Sequence, residues 1–217
     1  MALNEDAPRI KGVADIVFVV DVSGTMSDII DAVKQYIAEF VDMLVNDPQS
    51  TVKDVRLGLV THDVDGDARV HAVDFMAEPG DFRNALMNAP DGGTEYGLPA
   101  IDRALDFPWR PECRRYIVFF SDENVDGGHG PAFQNSKLQE LAQKMSTLHV
   151  HFMGFNEEAC PSYELLGKTP GSSYSVVSRS ELVGPNMKEL LAGIAKTVSM
   201  GVDQQVLGSV QRNLYSL

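Results

Sequence analysis

Residues 16–20 are Ile-Val-Phe-Val-Val, and the run closes on Asp21. The segment 14–20 is read as a strand without polar alternation, so neither of its faces meets water. Such a strand belongs inside a parallel sheet with helices packed on both sides. Residues 27–45 follow with a helical pattern, carried by Ile30, Val33, Ile37, Val41 and Leu44 at spacings of three and four. Ser27 or Asp28 is expected to cap that helix, and Asn46-Asp47-Pro48 to stop it.

The rest of the chain keeps alternating. Residues 55–61 read as a second buried strand and 69–75 as a third, joined by His62-Asp63-Val64-Asp65-Gly66-Asp67 as turn chemistry. A link this short cannot cross over a sheet, so these two strands form an antiparallel hairpin. Further strands are expected at 115–121, 148–155 and 173–177. Helices are expected at 79–87, up to about 105, 133–147, near 163–166, and from 187 to about 200. The fold class is therefore α/β: a doubly wound, mostly parallel, six-stranded sheet with one antiparallel edge strand and helices on both faces. Residues 1–12 are expected to be a flexible tail, 13–200 the domain, and 201–217 a C-terminal extension. In that extension Val202, Val206, Val210 and Leu214 recur every four residues, as in a short amphipathic helix that packs back on the domain or docks elsewhere.

Of the 217 residues 44% are hydrophobic and 23% charged, which excludes a disordered chain and a collagen-like one. Cys113 and Cys160 are too few and too far apart for a disulfide framework or a zinc site. The net charge of −13 argues against nucleic acid and anionic membrane as partners, because both are polyanions. The polar first eleven residues carry no apolar signal core, and no apolar run is long enough to span a bilayer. A cytoplasmic location is the expectation.

Sheets of this class place their sites beyond the C-terminal ends of the strands, where strand order reverses. Three polar features fall there. The first strand ends in Asp21-Val22-Ser23-Gly24-Thr25, a later loop holds Gly92-Gly93-Thr94, and the fourth strand ends in Ser121-Asp122. Two carboxylates and three hydroxyls in one small space suit a hard divalent cation such as Mg2+, which keeps several waters and requires few carboxylates. No soft ligand lies in these loops, which argues against zinc or copper. The alternative explanation is that Asp, Ser and Thr merely cap helices after strands; three coincident occurrences favour the metal.

In these residues the sequence resembles the von Willebrand factor type A family, also called integrin I-like domains, at its metal-ion-dependent adhesion site. The family pattern of Asp-x-Ser-x-Ser/Thr, a Thr in a second loop and an Asp after the fourth strand falls on Asp21, Ser23, Thr25, Thr94 and Asp122. The resemblance implies that Ser23 and Thr25 ligate the metal through their hydroxyls. Asp21 and Asp122 would act directly or through water, and Thr94 would ligate in one conformational state. The ion would be Mg2+, with Mn2+ or Ca2+ as alternatives. One position would stay open for an Asp or Glu carboxylate donated by a partner protein, so the chain would be a binding module and not an enzyme. Intracellular relatives further suggest an AAA+ ATPase as the partner.

The chain departs from the family at Glu123, where many members have Gly. Glu123, Asp126 and His129 are accessory candidates around the site. With Asp63, Asp65 and Asp67 on the same rim, the edge is strongly acidic, which favours a partner with a basic surround. Asp122-x-Asn124-x-Asp126-Gly127 matches the first half of an EF-hand loop, but position twelve is Phe133, so it is read as a loop over the site. A competing reading is a Mg2+-dependent phosphohydrolase of haloacid dehalogenase type with Asp21 as nucleophile. It needs a second acid two residues on, where Ser23 stands, and a Lys that is missing from 121–130.

Overall fold

The strand that opens the domain, β1 (Val13–Asp21), lies between two parallel neighbours, β2 (Asp54–His62) and β4 (Arg114–Ser121). The computed structural model describes residues 12–62, 70–90, 96–111, 113–122 and 131–200. Their six strands run in the order β3-β2-β1-β4-β5-β6, with β3 (Val70–Met76), β5 (Val150–Asn156) and β6 (Ser173–Val176) completing the sheet. The β2–β3 pair is antiparallel and every other pair is parallel. Moving outward from β1, the chain first winds to β2 and β3, then returns to build β4, β5 and β6. The strand order therefore reverses between β1 and β4, and the crevice above that reversal is where a doubly wound sheet can take a ligand.

Alternate residues of β1 feed two separate cores. Ala14, Ile16, Phe18 and Val20 join Tyr116, Val118 and Phe120 of β4 beneath α1 (Ser27–Asn46), α2 (Pro79–Met87) and α7 (Gly184–Met200). Val17 and Val19 join Val60, Ile117 and Phe119 beneath α3 (Gly97–Leu105), α4 (Pro131–Leu148) and α5 (Pro161–Gly167). Phe18 is fully buried at the centre of the first core, with ring centroids 5.7 Å from Phe40, 5.1 Å from Phe82 and 6.4 Å from Phe120. A Cβ on Gly97 would collide with the Tyr163 hydroxyl, so glycine is what lets the start of α3 approach α5. Among the described residues, no helix is long and apolar enough to cross a membrane.

Several expectations need correction. His62 is the last residue of β2 and not part of a turn. The helix before β5 continues to Leu148 and His149 has a left-handed φ of 52°, so β5 starts at Val150 and not at 148. Neither Ser27 nor Asp28 caps α1: the N-cap position is Met26, because a 3-10 turn at Gly24–Met26 runs straight into the helix. A short helix, α6 (Arg179–Leu182), precedes α7 and was not anticipated, although Ser178 and Glu181 carry the Ser-x-x-Glu signature of its capping box. Of the expected tail at 1–12 all but Gly12, and the whole extension at 201–217, lie outside the described residues.

The buried run of β1 also contains a charge. Asp15 is fully buried, and its carboxylate is met by two arginines. Arg56 donates Nε to Oδ1 at 3.0 Å and Nη2 to Oδ2 at 2.7 Å; Arg110 donates Nε to Oδ1 and its backbone N–H to Oδ2, both at 2.8 Å. Burial alone would push the Asp15 carboxyl up, but the hydrogen bonds and charge of Arg56 and Arg110 outweigh it and hold the pKa below its ordinary value. Arg56 in turn lies 4.4 Å over the Phe75 ring, so the cluster ties the edge strand β3 to the centre of the sheet.

Two stability changes follow. Phe18→Ala should cost about 3–5 kcal/mol through the cavity it opens, read as a lowered urea midpoint at unchanged slope. Asp15→Asn should cost about 3 kcal/mol at pH 7, since it leaves two guanidiniums facing a neutral amide. A depressed carboxyl pKa contributes stability above the unfolded value and loses it as pH falls through the folded one. The gap between wild type and Asp15→Asn should therefore narrow below about pH 4 in urea titrations at stepped pH.

Candidate functional site

At the C-terminal end of β1 the backbone turns sharply and the Asp21 side chain holds the turn. Its Oδ1 accepts the Ser23 N–H at 2.8 Å, and its Oδ2 accepts the Ser121 hydroxyl from the end of β4 at 3.1 Å. The Val22 N–H donates to the His62 carbonyl at 3.1 Å, and the Met26 N–H to the Ser23 carbonyl at 3.0 Å. An Asp side chain that bonds the backbone two residues on is the ordinary way a strand end becomes a tight turn. The turn places the Ser23 and Thr25 hydroxyl oxygens 2.9 Å apart at the surface. Asp21 itself is fully buried and, among the described residues, forms no ion pair.

Asp122 follows β4 directly. Its side chain is only 10% exposed, its Oδ2 lies 3.4 Å from Arg179 Nη1, and its buried Oδ1 has no hydrogen-bond partner among the described residues. A buried carboxylate oxygen left without a partner is costly, and each such atom in a folded protein calls for an explanation. The donor set is oxygen throughout: two carboxylates and two hydroxyls. Among the described residues no three of His, Cys, Asp and Glu gather as a ligand cluster; an all-oxygen donor set is the type hard cations take.

Four side chains around this set were not singled out in the sequence. His62, in register beside Asp21, is 1% exposed and stacks parallel to Phe119 at 5.8 Å. Neither of its ring nitrogens has a hydrogen-bond partner among the described residues. Burial pulls its pKa below the ordinary imidazole value against the opposing charges of Asp21 and Asp122, so the ring is neutral at pH 7. Arg179, at the start of α6, reaches across the same edge. It donates Nη1 to Glu157 Oε1 at 2.6 Å, Nη2 to Asp28 Oδ1 at 2.5 Å and Nε to Asp28 Oδ2 at 3.3 Å, and Nη2 also meets the Thr25 carbonyl. Burial raises the Asp28 carboxyl, but the Arg179 hydrogen bonds and charge prevail and its pKa lies below the ordinary value. Nothing local in the sequence marks Arg179, Glu157 or His62, since each becomes a neighbour of Asp21 and Asp122 only through the sheet order. Asp28 was visible only as a candidate cap.

Of the residues expected at the site, the structure brings Asp21, Ser23, Thr25 and Asp122 to one edge. Thr94, Glu123, Asp126 and His129 lie outside the described residues, as do Asp63, Asp65 and Asp67 of the expected acidic rim.

Comparison with known proteins supplies the family. No curated protein matches the chain. Among solved structures, the fold is similar to the von Willebrand factor type A protein from Catenulispora acidiphila, with a TM-score of 0.64 and 13% identity over 87% of this chain and 43% of that one. It is similar to the pilus adhesin SpaC from Lactobacillus rhamnosus GG, with a TM-score of 0.63 and 16% identity over 89% of this chain and 31% of that one. The SpRpn10 VWA domain gives a TM-score of 0.57 at 17% identity, covering 89% of this chain and 99% of that domain. At these identities the likeness is one of fold, and the chain spans less than half the length of the first two proteins. The family model described as von Willebrand factor type A domain matches residues 16–125, half of the sequence, and the chain belongs to that family.

Proposed function

We propose that this domain is a non-catalytic, divalent-metal-dependent protein-interaction module. The observation that carries the reading is the buried Asp122 Oδ1, without a partner among the described residues, on the same sheet edge as the paired hydroxyls of Ser23 and Thr25. A hard cation satisfies both. Ser23 and Thr25 would hold it through their hydroxyls. Asp122 would act directly or through water. Asp21, whose two oxygens already accept hydrogen bonds, keeps the turn in shape and contributes charge or a water-mediated contact. Thr94 belongs to the proposed set, with Glu123, Asp126 and His129 as accessory residues. Mg2+ is the ion favoured by this chemistry, and Mn2+ or Ca2+ can replace it.

When bound, the ion supplies positive charge and an open coordination position for an Asp or Glu carboxylate of a partner protein. The chain's own part is to hold the donors in place and to surround the anchor with negative charge, so the partner segment should be basic around a single acid. An AAA+ ATPase assembly is a partner class that rests on family resemblance. The phosphohydrolase alternative gains no support. Both oxygens of the would-be nucleophile Asp21 are committed, and Ser23, where the second acid would stand, is bonded to Thr25.

Thermal unfolding tests the site directly. Against EDTA, excess Mg2+ or Mn2+ should stabilise the protein by about 2.7 kcal/mol at a hundredfold excess over the dissociation constant. That is roughly 5–10 °C for a chain of this size. The shift should vanish in Asp21→Ala and Asp122→Ala. A midpoint that no divalent ion moves, from micromolar to millimolar, would remove the metal from the reading.

A further inference from the structure

Arg179 is committed more completely than an ordinary surface arginine. Its side chain is 35% exposed, yet Nε, Nη1 and Nη2 are all engaged, with Asp28, Asp122, Glu157 and the Thr25 carbonyl as acceptors. These acceptors come from four places in the chain: the start of α1, the residue after β4, the residue after β5, and the turn that carries two candidate ligands. Among the described residues no other Lys or Arg forms an ion pair with those three carboxylates. The arginine is itself firmly held. Ser178 and Glu181 form the capping box of α6, with Glu181 Oε2 accepting the Ser178 N–H at 2.7 Å, and Leu182 is buried in the core.

The way Asp122 is shared matters most. Arg179 takes Oδ2 loosely, at 3.4 Å, while gripping Glu157 at 2.6 Å and Asp28 at 2.5 Å, and Oδ1 has no partner among the described residues. The guanidinium thus answers part of the negative charge of this edge and leaves Asp122 Oδ1 unfilled by any described residue. We propose that Arg179 is a tethered counter-cation: it keeps the carboxylates and the Thr25 turn assembled when no divalent ion is bound, and its charge opposes that ion's entry. The second half of this inference rests on the metal reading above; the first half does not.

Charge, and not packing, is the cause in this account, so the test reads charge. In EDTA, full-length Arg179→Gln should melt below wild type. The gap should shrink in part as NaCl rises from about 20 mM to about 500 mM, because the repulsion that involves exposed Asp28 is screened over that range, and that between the more buried Glu157 and Asp122 less so. Arg179→Lys, which keeps the charge, should recover most of the loss. In calorimetric titrations with Mn2+ and Mg2+, Arg179→Gln should bind the ion tighter, by roughly tenfold for one unit charge removed from the neighbourhood. Arg179→Lys should stay near wild type.

A loss in EDTA that salt does not reduce and Lys does not repair would overturn the counter-cation role and leave a packing one. Equal or weaker ion binding by Arg179→Gln would overturn the competition. If neither protein binds any divalent ion, the metal reading fails and takes the competition with it, while the salt series still decides the first half. Should Arg179→Gln fail to fold, Arg179→Gln with Asp28→Asn removes one of the repelling charges. A double variant that folds supports the proposal, and one that stays unfolded overturns it.

Discussion

Strand β1 has to be covered on both faces and paired on both edges, and nearly everything else in the domain answers that requirement. A run such as Ile16–Val20, buried throughout, forces helices above and below and parallel strands to left and right. Its two ends carry the polar consequences. At the lower end Asp15 is buried among Arg56 and Arg110, and its charge is answered within the fold. At the upper end Asp21 is equally buried, but its partners are a backbone amide and a serine hydroxyl. The sheet is therefore closed electrostatically at one edge and left short of positive charge at the other, and the short edge is the one at the strand-order reversal.

Arginines also decide how the C-terminal helices are attached. At the upper edge Arg179 joins α6 to the Thr25 turn and to the ends of β4 and β5. At the lower edge Arg114 donates to the carbonyls of Val198 at 2.6 Å and Ser199 at 2.5 Å, and the Thr51 N–H donates to Ser199 Oγ at 3.1 Å. The last carbonyls of a helix have no partner within it, so the Arg114 bonds satisfy α7 and tie it to β4, while Thr51 ties it to the segment before β2. With its middle packed on α1 and both ends bonded to the sheet, the α6–α7 unit is held against the same strands that carry the candidate ligands.

The regular elements were legible because their signals are local. Unbroken apolar runs marked β1, β2 and β4, the three-and-four spacing of Ile30 to Leu44 marked α1, and the short link after His62 required the antiparallel edge pair. Asp21, Ser23, Thr25 and Asp122 were legible for the same reason: each stands at the end of a strand whose position the apolar pattern already marks. The capping box at Ser178 and Glu181 was equally local, and α6 went unseen only because four residues are too few for a helical period. His149 shows the limit of reading element boundaries from the apolar pattern, since a single residue in the left-handed region separates the helix from the strand and moves the strand's start to Val150.

What the sequence determined by itself is the class of sheet, the edge at which polar residues collect, and the oxygen-only chemistry of the candidate ligands. These depend on hydrophobic period and residue type, which are properties of short stretches. The tertiary structure alone decided which charges answer one another. Asp15 with Arg110, and Arg179 with Asp28, Asp122 and Glu157, are separated by 22 to 151 residues along the chain. No local pattern encodes such partners, because they meet only after the sheet has been wound in a particular order, and it is that order that turns a set of strand-end carboxylates into a site.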